Sequence, residues 1–358
     1  MSTAVARPAG RRRSAPVLSR ALPGAVTGGA LAALWFSAGG ASSAGVWIGA
    51  VALGLCLALV AVGVYITFRV LNFPDLTIDG TYPLGAAVSA VLIVHGFPAW
   101  PTLAVAFVAG GCFGALTALL ATKLRLHSLL ASILVATALF SINLRIQGKA
   151  NIPLLSETTI FTPISDGARR ATVAAFGDGA ARHSNNLLTI VLVGLLVVAV
   201  KLVFDAFNRS EIGLNLRGTG DNPQMMRTLG RNTDQYVVLG VAISNALVAV
   251  AGAIVAQFQG FADVNMGFGL IIAGLASVIL GDVVFRPRRV STGTLSAIAG
   301  MILYRTAIAA ALVIRVPVPG GESFRLEAGD IKLATAVLVL GMLWFSGFSG
   351  FSATRKKT

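Results

Sequence analysis

Apolar residues come in long unbroken runs along this chain, with polar residues confined to the gaps between them. Residues 21–68 contain not one Asp, Glu, Lys or Arg. A spanning helix needs about 20 apolar residues to cross about 30 Å of hydrocarbon. That stretch therefore predicts two helices joined by a Gly/Ser turn near 39–45. It is too long for a cleavable signal peptide, whose apolar core runs to roughly 7–15 residues. Windows bounded by charge or by Gly and Pro predict ten spans, at about 22–43, 46–68, 83–97, 101–122, 127–147, 187–204, 236–258, 267–285, 290–313 and 331–348. The expected fold is an all-α polytopic membrane protein of about ten transmembrane helices. A basic tail, 1–20, precedes a membrane domain, 21–348, and a second basic tail, 349–358, follows it.

Composition agrees: the chain is 56% hydrophobic and only 12% charged, with a mean hydropathy of +0.82. An average soluble domain carries roughly 25% charged residues. The net charge of +14 would suggest nucleic acid if it were clustered with aromatics. Instead it flanks the spans. Arg7, Arg11, Arg12, Arg13 and Arg20 precede the first, Arg286, Arg288 and Arg289 separate two others, and Arg355, Lys356 and Lys357 follow the last. The positive-inside rule then puts both termini in the cytoplasm, and no nucleic-acid partner is expected. Cys56 and Cys112 lie in apolar stretches without metal-like spacing and read as small buried hydrophobes.

Two connections are long. The outer one, 148–186, mixes Ile152-Pro153, Thr162-Pro163, Asp166-Gly167 and Gly177-Asp178-Gly179 with charges of both signs, and predicts an exposed, turn-rich surface able to dock a partner. The inner one, 205–235, carries Asp205, Arg209, Glu211, Arg217, Asp221, Arg227, Arg231 and Asp234. Within it Asp221 or Asn222 can cap a helix that starts at Pro223, because Pro lacks only an N–H that is unbonded there in any case. Met225, Met226 and Leu229 supply an apolar face and Gly230 a stop. An ordinary amphipathic connector and a helix laid on the membrane face for a soluble partner both fit this pattern.

The run 71–85, LNFPDLTIDGTYPLG, places two carboxylates, two prolines and two glycines between apolar stretches and predicts a broken helix. Non-helical backbone at membrane depth must be covered by protein or line a watery cavity. A second break at 261–269 echoes the first, with Phe73 and Asp75 matching Phe261 and Asp263. Broken helices in corresponding, inverted halves are a recurring transporter plan, with the solute near their interface. Asp75, Thr77, Asp79, Gly80, Asp263 and Asn265 are the candidate path residues. Asp282 and Arg305 read more simply as groups near the inner surface or as structural ion pairs. Asn143 and Asn245 read as bridges between helices. The runs Gly110-Gly111 with Gly114, and Gly267 with Gly269 and Gly274, predict close helix packing.

No phosphate-binding loop is present: Gly148-Lys149 is followed by Ala150 and lacks the upstream glycine. His95, His127 and His183 are scattered and assemble no hydrolase motif. Neither enzymatic activity nor a cofactor is expected. The runs 72–85 and 213–230, with Ser244-Asn245-Ala246-Leu247, Gln257 to Asp263 and 274–281, resemble ABC permeases of the branched-chain amino acid and simple-sugar class. The subgroup assigned to tryptophan or other amino acids is the nearest in kind. The resemblance implies a bacterial inner-membrane importer with two permease subunits, two cytoplasmic ATPases and an extracytoplasmic solute-binding protein. It also implies that 221–230, comprising Asp221, Asn222, Pro223, Met225, Met226, Arg227, Leu229 and Gly230, is the coupling helix seated in the ATPase. An ion-coupled secondary transporter also fits ten spans with broken helices. It has no need of the inner-loop helix. The absence of Lys and Arg from both breaks favours a zwitterionic or neutral solute over a strongly anionic one; within that set the resemblance implies an amino acid, aromatic ones included, and leaves nucleosides and sugars open.

Overall fold

The computed structural model describes residues 44–162, 184–287, 289–313, 315–317, 323–325, 330, 333, 335–337 and 340–341. Helices α1 (Ala44–Cys56) and α2 (Ala58–Val64) form one apolar span bent by 40°, whose last turn, Tyr65–Val70, widens into a π-helix. After a break come α3 (Ile78–Val94), α4 (Ala99–Lys123) and α5 (Ser128–Gln147). Then follow α6 (Ser184–Arg209), α7 (Glu211–Asp221), α8 (Pro223–Thr228) and α9 (Thr233–Gln259), and finally α10 (Leu270–Phe285) and α11 (Val290–Val313). Two short antiparallel strand pairs complete the described residues. Strand β1 (Asn151–Pro153) pairs with β2 (Phe261–Asp263), and β3 (Arg315–Pro317) with β4 (Ser323–Arg325).

Six of these helices are long and apolar enough to cross a membrane, seven spans result when the bent pair counts as one, and α3 is a shorter apolar helix. Eight of the ten expected segments thus carry a helix. The segment 22–43 lies outside the described residues, as does most of 331–348.

Helix α9 is the centre of the bundle and is mostly buried, whereas α4, α5 and α6 show most of their apolar side chains outward. Between helices in lipid, association rests on close packing more than on the hydrophobic effect, so small residues decide which helices touch. A Cβ at Gly85 of α3 would collide with the Ala249 backbone, one at Gly252 with the Tyr82 carbonyl, and one at Gly110 or Gly114 of α4 with the Asn245 or Val241 carbonyl. Gly63 of α2 meets Ser244 and Val248 in the same way. Of the second glycine group, Gly267 and Gly274 make such close approaches, against Asp79 and Val64. Gly269 does not; its φ of +81° provides the left-handed turn that starts α10.

The inner connection is more helical than its charge density suggested. Residues 205–209 complete α6, and α7 and α8 fill most of the rest. Ser210 caps α7 by accepting from Gly213 N, and Gly220 lets α7 lie against the Val70 carbonyl at the edge of the first break. The outer connection is correspondingly less exposed where it is described, since Leu154 and Ile160 are buried and the Ile160 amide donates to Gln257 of α9. Residues 163–183 lie outside the described residues.

Candidate translocation site and cytoplasmic coupling surface

The first break is shorter than 71–85. It covers 71–77, because Pro83 is accommodated inside α3. Proline there removes the hydrogen bond to the carbonyl four residues back, that of Asp79. Gly267 of the second break packs directly on this freed carbonyl and on the Pro83 ring.

Asp75 is fully buried. Its Oδ1 accepts from Thr77 N at 2.9 Å, and its Oδ2 accepts from Asn245 Nδ2 at 2.7 Å. Thr81 donates to Asn245 Oδ1 at 2.8 Å, and the Thr77 and Thr117 hydroxyls share a bond of 2.9 Å. A buried polar network joining α3, α4 and α9 results, with Asn245 bridging helices as the sequence suggested. Asp75 and Thr77 both belong to this network. Asp79 reaches across to the other half of the molecule: its carboxylate accepts from Ile271 N at 2.9 Å and Gly269 N at 3.3 Å, capping the start of α10. The negative charge and the free amides at a helix N-terminus attract one another.

Asp263 shows the same local turn as Asp75. Its Oδ1 accepts from Asn265 N, two residues on, at 2.6 Å, as Asp75 does from Thr77. Here the surroundings differ, with Asp263 half-buried on β2 opposite Asn151 and Asn265 exposed in the 3₁₀ turn Val264–Gly267.

Of the six candidate path residues, Asp79 and Gly80 alone line a cavity of about 420 Å³, between α3, α5 and the second break. Leu76, Pro83, Ile133, Thr137, Phe140, Asn143 and Phe268 are among the other residues lining it. Residue-type reasoning did not reach Thr137, Phe140 or Phe268; the available signal was the pair Asn143 and Gln147, four apart on one face of an otherwise apolar helix. Asn143 Nδ2 donates to the Gly80 carbonyl at 3.1 Å, and Gly80 lacks a Cβ because one would strike Leu139 of α5.

Of the other groups near membrane depth, Asp282 pairs with Arg69 at 3.6 Å, linking α10 to the π-turn. Arg305 makes no ion pair among the described residues. Cys56 is buried as expected, but Cys112 is exposed, pointing outward from α4. Among the described residues no group of His, Cys, Asp and Glu has the arrangement of a metal site.

In the connection between α6 and α9, Asn222 is the cap of α8, accepting from Met225 N at 3.0 Å, while Asp221 ends α7. Pro223 occupies the first turn and Gly230, at φ +75°, ends the segment. The apolar face splits in two. Met226, 4% exposed, lies under Gly218 of α7, whereas Met225 and Leu229 are 48% and 66% exposed. Arg227 turns back, donating from Nε to the Thr233 hydroxyl at 3.0 Å and lying 3.7 Å from Asp234 at the start of α9.

Comparison with known proteins agrees with this architecture. The family described as branched-chain amino acid transport system, permease component, matches residues 46–343. The tyrosine transport system permease protein of Clostridioides difficile is 35% identical over 81% of this chain and 87% of its own length. A probable branched-chain amino acid transport permease, LivH of Methanocaldococcus jannaschii, is 26% identical over 65% of this chain and 72% of its own. The autoinducer 2 import permease LsrC of Yersinia enterocolitica is 31% identical over a shorter stretch, 44% of this chain and 39% of its own. No solved structure matches the chain. By a match covering most of its length, this multi-pass membrane protein belongs to the ABC-type permease family of branched-chain amino acid transport systems.

Proposed function

We propose that this chain is the membrane-spanning subunit of a binding-protein-dependent importer of a small amino acid solute, driven by ATP hydrolysed on separate cytoplasmic ATPase subunits. Two copies of the permease, two ATPases and one extracytoplasmic solute-binding protein make up the assembly, set in a bacterial inner membrane with both termini cytoplasmic. The chain performs no covalent chemistry. ATP closes the ATPase pair, α8 moves with it, and the bundle exchanges outward for inward opening around a path that includes Asp79 and Gly80. An amino acid is favoured because the family and the tyrosine permease relative point to one, and because no Lys or Arg lies in either break to hold a strongly anionic solute.

The observation that carries this reading is α8. A helix of six residues, capped by Asn222 and fixed to α7 and α9 by Met226 and Arg227, presents Met225 and Leu229 outward and holds no other visible task. Leu229→Glu or Met225→Glu places a charge in the docked interface and is expected to lower uptake more than about tenfold, as does loss of a well-packed apolar anchor. The assay is uptake and ATP hydrolysis in proteoliposomes holding the assembled complex. Stimulation by loaded binding protein equal to wild type in both variants overturns the assignment. Purification without a co-eluting ATPase, together with uptake that follows a proton or sodium gradient, would replace it with an ion-coupled transporter.

A further inference from the structure

Helix α5 carries buried polar atoms that no partner among the described residues satisfies. Asn143 is fully buried, its Nδ2 donates to the Gly80 carbonyl, and its Oδ1 has no partner. The amide cannot be turned to relieve this, because Oδ1 would then face the Gly80 oxygen, one acceptor against another. One turn further on, Gln147 has neither Nε2 nor Oε1 bonded. Residues four apart share a helix face, so these groups form a short polar ladder between the cavity and the end of α5. A buried acceptor without a donor is costly, and hydrocarbon has no water to supply one.

Asn143 lines the cavity of about 420 Å³, at the lower end of the roughly 300–1,000 Å³ usual for small-molecule sites. The remaining wall is largely apolar and includes Phe140 and Phe268, whose rings lie 6.4 Å apart at 55°. That separation leaves two exposed ring surfaces, one on α5 and one at the second break. Asp79 is on the same wall, but both its oxygens already hold the start of α10.

We propose that Asn143 and the Phe140–Phe268 pair are solute-contacting, specificity-determining residues: Asn143 Oδ1 accepts a hydrogen bond from the solute's ammonium or hydroxyl group, and the two rings hold an aromatic side chain. Gln147 receives the same polar group on its way to or from the outer end of α5. This rests on the amino-acid importer reading and adds to it the place and the chemistry of selection. Aromatic pairs favour an aromatic guest over an aliphatic one through edge and face contacts beyond area alone.

The test uses the assembled complex in proteoliposomes with L-[³H]tyrosine and L-[³H]leucine as probes. Asn143→Leu keeps the side-chain size and removes the acceptor; tyrosine uptake is expected to fall about tenfold, mainly as a raised KM. Phe268→Leu alters a side chain that is 62% exposed, and is expected to lower the tyrosine-to-leucine uptake ratio about fivefold. Should Asn143→Leu not reach the membrane, the ratio in Phe268→Leu and Phe140→Leu decides alone. Wild-type rates and ratio in these variants would overturn the inference and make the cavity a groove for a lipid acyl chain, with the importer reading intact. Failure of the wild-type complex to take up either amino acid would instead overturn the importer's solute class and this site with it.

Discussion

The two breaks use one local device in opposite settings. In each, an Asp two residues after a Phe folds its carboxylate back onto a backbone amide and turns the chain toward a new helix. Asp75 does so in a fully buried network with Asn245, Thr77, Thr81 and Thr117. Asp263 does so near the surface, where strand pairing with Asn151 supports the backbone. A shared sequence pattern therefore fixed the turn but not its energetic weight, because desolvation decides what a lost hydrogen bond costs.

The largest effect is expected at Asp75. Asp75→Ala strands the Thr77 amide and one of the two Asn245 Nδ2 hydrogens in a dry interior, the other still bonded to the Val241 carbonyl, at a cost of about 3 kcal/mol, read as a lowered unfolding midpoint in detergent. Asn245→Ala in the same background should add less than it costs alone, since the bond between the two residues is already lost and only its bonds to Thr81 and the Val241 carbonyl remain to be broken. Equal costs at Asp75 and Asp263 would show the comparison to be wrong. Asp79→Ala comes next, at about 1–2 kcal/mol for a lost helix cap, with faster amide hydrogen exchange at Gly269 and Ile271. Asp263→Ala should cost under about 1 kcal/mol, because water replaces its single bond, and β1–β2 should persist by exchange protection.

Much of this architecture was legible beforehand. Run length located eight helices, and Asn222, Pro223 and Gly230 located α8 almost to the residue. What could not be read was direction. Met225, Met226 and Leu229 share one apolar character, yet Met226 turns inward because Gly218, distant from it in the folding pattern of the loop, leaves room beneath α7. Asp75 likewise reads as an isolated intramembrane carboxylate until its partner, here 170 positions away, is known. The aromatic wall of the cavity was invisible for the same reason: Phe140 and Phe268 resemble any lipid-facing Phe until folding brings them together.

Helix α9 begins three residues after Gly230 and ends at Gln259, two residues before β2. Its 27 residues make a rod about 40 Å long. Glycine contacts clamp it to α2, α3 and α4, so bending it along its length would break close packing on three sides. Helix α8 is attached at one end through Arg227 and Asp234, and the second break lies at the other, so that in the proposed transport cycle α9 would act as a push rod. A tilt of about 5° at the α8 end would displace the far end of a rod about 40 Å long by about 3–4 Å. The far end of α9 leads into Phe261–Asp263 and the adjoining 3₁₀ turn, which ends at Phe268, so these are the residues such a stroke would reach.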